Sequence, residues 1–95
     1  MSELHSLLDQ LAALRLPAVD PDECADEELL AGMPELQSGL NQLSALLTRC
    51  VAVADRRGAQ RADGMASMKS WLTGHCRLAS RDAAALVKEA KAQLR

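Results

Sequence analysis

Residues 56–93 read RRGAQRADGMASMKSWLTGHCRLASRDAAALVKEAKAQ, and this stretch decides the fold. It opens on the basic end of one helix and crosses a polar loop. It then holds two further helical segments separated by a short break at Arg77–Ser80. Met65, Met68, Trp71, Leu72 and Cys76 recur on one side of the first segment, as an amphipathic helix requires. In the second, Ala83, Leu86, Val87, Ala90 and Leu94 mark a core-facing side. Arg81, Ala85, Lys88, Ala92 and Arg95 line up on the opposite side. Ser80 is an expected N-cap for the second segment, and Asp63 or Ser67 for the first. The pair predicts a helix-turn-helix-like ending, with Leu78 tucked inward between its two helices.

Upstream lies the long helix this pair must pack on, predicted from Pro34 to about Arg57. Leu36, Leu40, Leu43, Leu47, Cys50 and Ala54 alternate by four and three, a heptad-like seam. Leu46, Val51 and Val53 widen it, so the helix is expected to be buried against more than one neighbour. Ser38, Asn41, Ala45, Arg49, Ala52 and Arg56 are expected to face water. Pro34 suits a first helical position, Gly58 a left-handed stop, and Arg56 and Arg57 the negative end of the helix dipole. Before Pro34, residues 26–32 predict only a helical turn through Leu29 and Leu30, interrupted by Gly32 and Pro34.

The N-terminal part is simpler. Leu4, Leu7, Leu8, Leu11 and Leu14 form a helical stripe over residues 2–15, capped by Ser2 and ended by Pro17. Residues 16–25, LPAVDPDECA, carry two prolines and three acids and argue against regular structure. The expected fold class is therefore all-α: a small multi-helix domain with four main helices near 2–15, 34–57, 66–76 and 81–93. Residues 1–25 form an amphipathic helix with an acidic linker, and 26–95 a helical domain.

Leucine and alanine supply 34 of the 95 residues and there is no Phe or Tyr, so the core is aliphatic with one large side chain, Trp71. Trp71 is expected to lie buried between the long helix and the last helix, with Leu72, Leu78 and Val87 in the same core. Residues 1–47 carry nine acids and one base, whereas residues 48–95 carry ten bases and four acids. That asymmetry fits a polyanionic partner for the basic half, or packing of the acidic half on the basic half. Cys24, Cys50 and Cys76 are odd in number and widely spaced, which is no disulfide framework, and MSELHSLL is no leader or membrane anchor. A reducing cytoplasm is the expected setting, and no membrane partner is expected.

No catalytic, metal or cofactor site is expected. His75-Cys76 lacks the paired ligand spacing of zinc sites, and adjacent helical residues point about 100° apart, poor geometry for a nucleophile–base pair. No Gly-rich phosphate loop or other sign of a small-molecule substrate occurs. A lone tryptophan, with no Phe or Tyr, argues against an aromatic stacking platform for single strands. What remains is the basic surface: Arg77, Arg81, Lys88, Lys91 and Arg95, with Arg56, Arg57 and Arg61. Alanines between the charges would let a helix approach a groove, Arg81 reading base edges and the others contacting phosphate. The alternative is a solvated helix surface on a homodimeric interaction module.

Over Leu43–Ala90 the sequence also resembles a known family. It carries ALLTRCVAVADRRGA (45–59), RADGMASMKSWL (61–72) and LASRDAAALVKEA (78–90). Asp63-Gly64, Trp71-Leu72 and Leu78-Ala79-Ser80 are similar to recurring steps in the N-terminal region of the actinobacterial HNH-endonuclease-associated repeat proteins, whose shared region is domain of unknown function 222. The resemblance covers about half the chain. It implies a helical module attached to nucleases in longer relatives. It does not bring the nuclease: His5 and His75 are the only histidines, and no His-Asn-His arrangement exists. A truncated member, a standalone N-terminal module and a fragment of a longer nuclease all fit that departure.

Overall fold

Three acids at the start of one helix and two arginines at its end set the longest element. Helix α2 runs unbroken from Asp26 to Arg57, with Asp26, Glu27 and Glu28 in its first turn and Arg56 and Arg57 in its last. Both sets of charges favour the helix dipole. The computed structural model describes residues 2–93. In chain order the elements are α1 (Glu3–Ala13), two short 3-10 turns (Leu16–Ala18 and Pro21–Glu23), α2, a 3-10 turn at Ala59–Asp63, α3 (Met68–His75) and α4 (Ser80–Gln93). The described residues contain no strand, so the protein is all-α. No described helix is long and apolar enough to cross a membrane.

Two expectations about the N-terminal half need correction. The connector is not irregular, because Pro17 lies second in one 3-10 turn, Pro21 starts another, and Asp20 caps the latter by accepting the Asp22 N–H at 3.0 Å. Nor do Gly32 and Pro34 break the chain; Pro34 lies inside α2. The helix already begins at the Ala25 carbonyl, which accepts the Leu29 N–H at 3.0 Å. An internal proline costs about 3 kcal/mol by removing one hydrogen bond and crowding the preceding turn. Stopping and restarting the helix would leave several backbone groups unpaired on each side. Continuity is the lesser cost.

The chain divides into two compact units after Glu35. In the first, Ser2 caps α1 by accepting the His5 N–H at 3.1 Å, and no residue of α1 is buried. Leu4, Leu8 and Leu14 are all exposed. Cys24 sits at the end of the second 3-10 turn. Partial removal from water and the neighbouring Glu28 carboxylate push its thiol above the ordinary range. A thiolate beside a carboxylate is disfavoured, so Cys24 should react sluggishly. Iodoacetamide at mildly alkaline pH is expected to label exposed Cys76 well before Cys24. Peptide mapping that found Cys24 labelled first would overturn this.

The second unit holds the core. Val51 and Ala52 of α2, Met68 and Leu72 of α3, and Ala83 and Ala90 of α4 are buried together. Ala54, Trp71, Leu78, Leu86 and Val87 pack around them half-buried. Gly58 adopts the left-handed backbone (φ 67°) that ends α2 there, as expected. Of the two candidate caps for α3, Ser67 does the work, accepting the Ser70 N–H at 3.1 Å. Ser80 is not the cap of α4. Its position is already helical, and Ala79 supplies the first carbonyl, accepting the Ala83 N–H at 2.9 Å.

Three further expectations fail here. Ala52 is buried, not solvent-facing. Trp71 is only half-buried, and among the described residues Leu72 is the one large side chain wholly enclosed, at 1% exposure. In α3 the buried pair is Met68 and Leu72, four apart; Trp71 lies about 100° round the helix from Leu72 and falls at the rim. The leucine seam of α2 is also not buried along its length. Leu36 and Leu40 are 67% and 60% exposed, and Leu43 and Leu47 are exposed too. With helices of 8 and 14 residues, α3 and α4 cover α2 only from about Thr48 onward.

Candidate nucleic-acid interface

Helix α4 sorts its side chains by chemistry. Ala83 and Ala90, seven residues apart, are fully enclosed, with Leu86 and Val87 beside them. At about 100° per residue, Lys91, Lys88 and Arg81 fall on one flank and the back of the helix, whereas Asp82 and Glu89 fall on the other flank. Arg81, Lys88 and Lys91 are exposed, as are Ala85 and Ala92 between them. Arg95, expected to extend this row, and Leu94, expected in the core, lie outside the described residues.

The cationic flank does not stand alone. A shallow trough of about 540 Å³ runs between α3 and α4, lined by Lys69, Ala84, Val87, Lys88, Lys91 and Ala92. Three ammonium groups therefore share one surface with small apolar residues between them. Sequence reasoning missed Lys69. The signal was available: it follows Met68, the first buried residue of α3, so it projects beside the core face towards the next helix.

The remaining basic residues lie at the helix ends and connectors. Arg56 and Arg57 close α2 and are exposed. Arg61 folds back from the 3-10 turn, its Nη1 only 3.0 Å from where a Cβ on Gly58 would sit. Arg77 occupies the turn between α3 and α4 with a positive φ of 56°, a backbone that non-glycine residues seldom adopt. Among the described residues no lysine or arginine comes within 4.0 Å of a carboxylate; the single ion-pair contact is His5 with Asp9, at 3.8 Å. The described cations of this unit are thus exposed and form no ion pair among the described residues, and the structure brings Lys88 and Lys91 together while spreading the arginines more widely.

A second concavity lies on the other side of α3. It is an apolar recess of about 330 Å³ whose wall includes Leu47, Cys50, Gln60, Asp63, Met68, Trp71 and Cys76. At its edge the Trp71 indole N–H donates to Asp63 Oδ2 at 2.8 Å, and the His75 ring stacks on the indole with centroids 4.6 Å apart. This accounts for His75, one of the two residues of the possible metal or nucleophile pair: its Nδ1 lies 3.2 Å from the Trp71 carbonyl. Among the described residues no three His, Cys, Asp or Glu side chains converge as metal ligands do. Leu78 and Val87 are half-buried and pack against the core cluster.

No protein-family model, no curated protein and no solved structure matches this chain.

Proposed function

We propose that the chain is a non-catalytic helical module that associates with duplex DNA through α4 and the α3–α4 trough. The observation that carries this is the trough itself: Lys69, Lys88 and Lys91 line one surface, and none is paired with an acid. Unpaired ammonium groups on a surface with small neighbours suit the phosphate backbone, whose bound counterions are released on contact. Phosphate contacts of this kind position without reading sequence, so binding is weak and mostly non-specific. Arg81, in the first turn of α4, is the residue placed to meet base edges if that turn enters the major groove. The resemblance to the HNH-associated family supports the same reading, in which the module serves a nuclease carried elsewhere. Three free cysteines suit a reducing cytoplasm.

Fluorescence anisotropy on a random duplex of ~20 base pairs, from low to moderate salt, tests the proposal. The wild type should show affinity falling steeply with salt, by about 0.9 log units per log unit for each phosphate neutralised. Lys69→Ala/Lys88→Ala/Lys91→Ala should flatten that slope by about 2–3. Arg81→Ala should lower affinity further. Equal binding by wild type and triple variant, or none at low salt, would overturn the DNA reading.

A specific observation favours a second reading, self-association. The exposed leucines from Leu36 to Leu47 form a continuous apolar tract on one helix. Contiguous apolar surface of that kind marks protein interfaces far more often than free surface.

A further inference from the structure

The seam on α2 has more order than exposure alone requires. Its alternation of four and three runs unbroken from Leu29 to Ala54, about three and a half heptads. Its middle is bare: Met33, Leu36, Leu40, Leu43 and Leu47 are all exposed. No charged residue lies between Glu35 and Arg49. The acids Asp26, Glu27, Glu28 and Glu35 sit before that interval, and the bases Arg49, Arg56 and Arg57, with the single acid Asp55, after it. A helix that is acidic at one end, neutral in the middle and basic at the other is complementary to itself reversed.

We propose that this face pairs with the same face of a second copy of the chain, α2 against α2, antiparallel about a two-fold axis passing between Asn41 and Gln42. The proposal rests on the self-association reading and gives it a geometry. A two-fold axis perpendicular to the helices reverses the numbering of one against the other. With the axis at 41/42, Leu40 faces the partner copy's leucine at 43, and Leu36 faces the one at 47. Met33 faces Cys50. Every layer then sets an a-type position against a d-type position, so knobs meet holes along the seam. The same register brings Asp26 and Glu27 of one copy beside the Arg57 and Arg56 of the other, two opposite-charge matches at each end of the pair against one like-charge match, Glu28 facing the acid at 55.

A parallel pairing, or one shifted by a heptad, loses this match. Parallel alignment sets four acids against the same four acids and three arginines against the same three, a like-charge penalty at each end. It also aligns the helix dipoles unfavourably. The antiparallel contact is isologous and closes on itself, so it produces dimers and not filaments. It leaves Lys69, Lys88 and Lys91 outside the seam, which allows the DNA reading to hold at the same time.

Cys50 makes the geometry testable in the full chain. Sedimentation equilibrium up to about 100 µM should show a dimer, and Leu40→Glu should weaken it by at least about tenfold with unchanged far-UV helicity. Leu40 is exposed in the single chain, so the substitution leaves the core intact. Cross-linking is then read in a Cys24→Ser/Cys76→Ser background under mild oxidation. With Cys50 as the only thiol, little covalent dimer is expected. Adding Met33→Cys should give efficient cross-linked dimer, and removing Cys50 from that variant (Cys50→Ser) should abolish it. A monomer at every concentration would sink self-association itself. A dimer cross-linked through Cys50 alone would keep self-association and overturn the antiparallel geometry. A dimer that forms no cross-link in the Met33→Cys variant, or one indifferent to Leu40→Glu, would place the interface on another face and overturn it as well.

Discussion

Leu72→Ala is expected to destabilise the C-terminal unit by about 2–5 kcal/mol, the range for a fully enclosed leucine whose cavity cannot collapse. The side chain is 1% exposed and is the largest one fully enclosed. The other buried residues of its cluster are three alanines, Val51 and Met68, and the alanines have no rotamers with which to fill a void. A small domain with a thin core starts near the low end of the usual ~5–15 kcal/mol, so one such loss leaves much of the population unfolded at room temperature. Urea melts followed by circular dichroism give the result directly. Trp71→Ala supplies the comparison. Trp71 is half-buried, and its best polar contact is the indole N–H to Asp63. It should therefore shift the midpoint less than Leu72→Ala, even though tryptophan is the bigger side chain. The reverse order would mean that the tryptophan is the anchor and that Leu72 is peripheral.

That ordering could not be read from the sequence, and the reason is physical. Periodicity places Met68, Trp71 and Leu72 on one side of α3, but a side spans more than 100° and only its centre meets the core. Which residue sits at the centre depends on how the helix is rotated about its axis. Here that rotation accompanies a tie from outside the helix, the Asp63 carboxylate holding the indole at the rim. Composition pointed to tryptophan because it is the only aromatic, and size alone carries no information about rotation.

The ends of the elements were more legible than their middles. Gly58, Ser67 and Ser2 act where their chemistry suggested, because a left-handed stop and an N-cap hydroxyl are local and need no partner. Pro34 misled for the complementary reason. A proline's local preference for a first turn was outweighed by helix-favouring sequence on both sides, a cost spread over many residues that no single position displays. The leucine seam misled differently. Its spacing marks an apolar face, but spacing does not say whether the chain itself covers that face, and here Leu36, Leu40, Leu43 and Leu47 are exposed. Of the lysines lining the trough, Lys88 was legible from its face on α4, Lys91 was named apart from that face, and Lys69 was not named because its neighbours in the trough come from a different helix.

The same α4 pattern yields the second large effect. Ala83→Leu is expected to cost about 1–3 kcal/mol or more through overpacking, because Ala83 is 0% exposed. Three added carbons at that point must push α4 away from the helices it packs on. Ala85→Leu, two positions on, faces solvent and should leave stability within about 0.5 kcal/mol. Both replacements have nearly equal helix propensity, so intrinsic helicity cancels from the comparison and only the environment of each side chain is read. The pair also separates the two uses of α4. Ala83 sets its distance from the core, whereas Ala85 lies between Arg81 and Lys88 on the face assigned to phosphate. A bulky leucine there should hinder close approach and lower duplex affinity in a protein that melts like the wild type. Should Ala83→Leu melt like the wild type and Ala85→Leu unfold, α4 would be turned over on its axis, and the basic residues would belong to the core side and not to the DNA side.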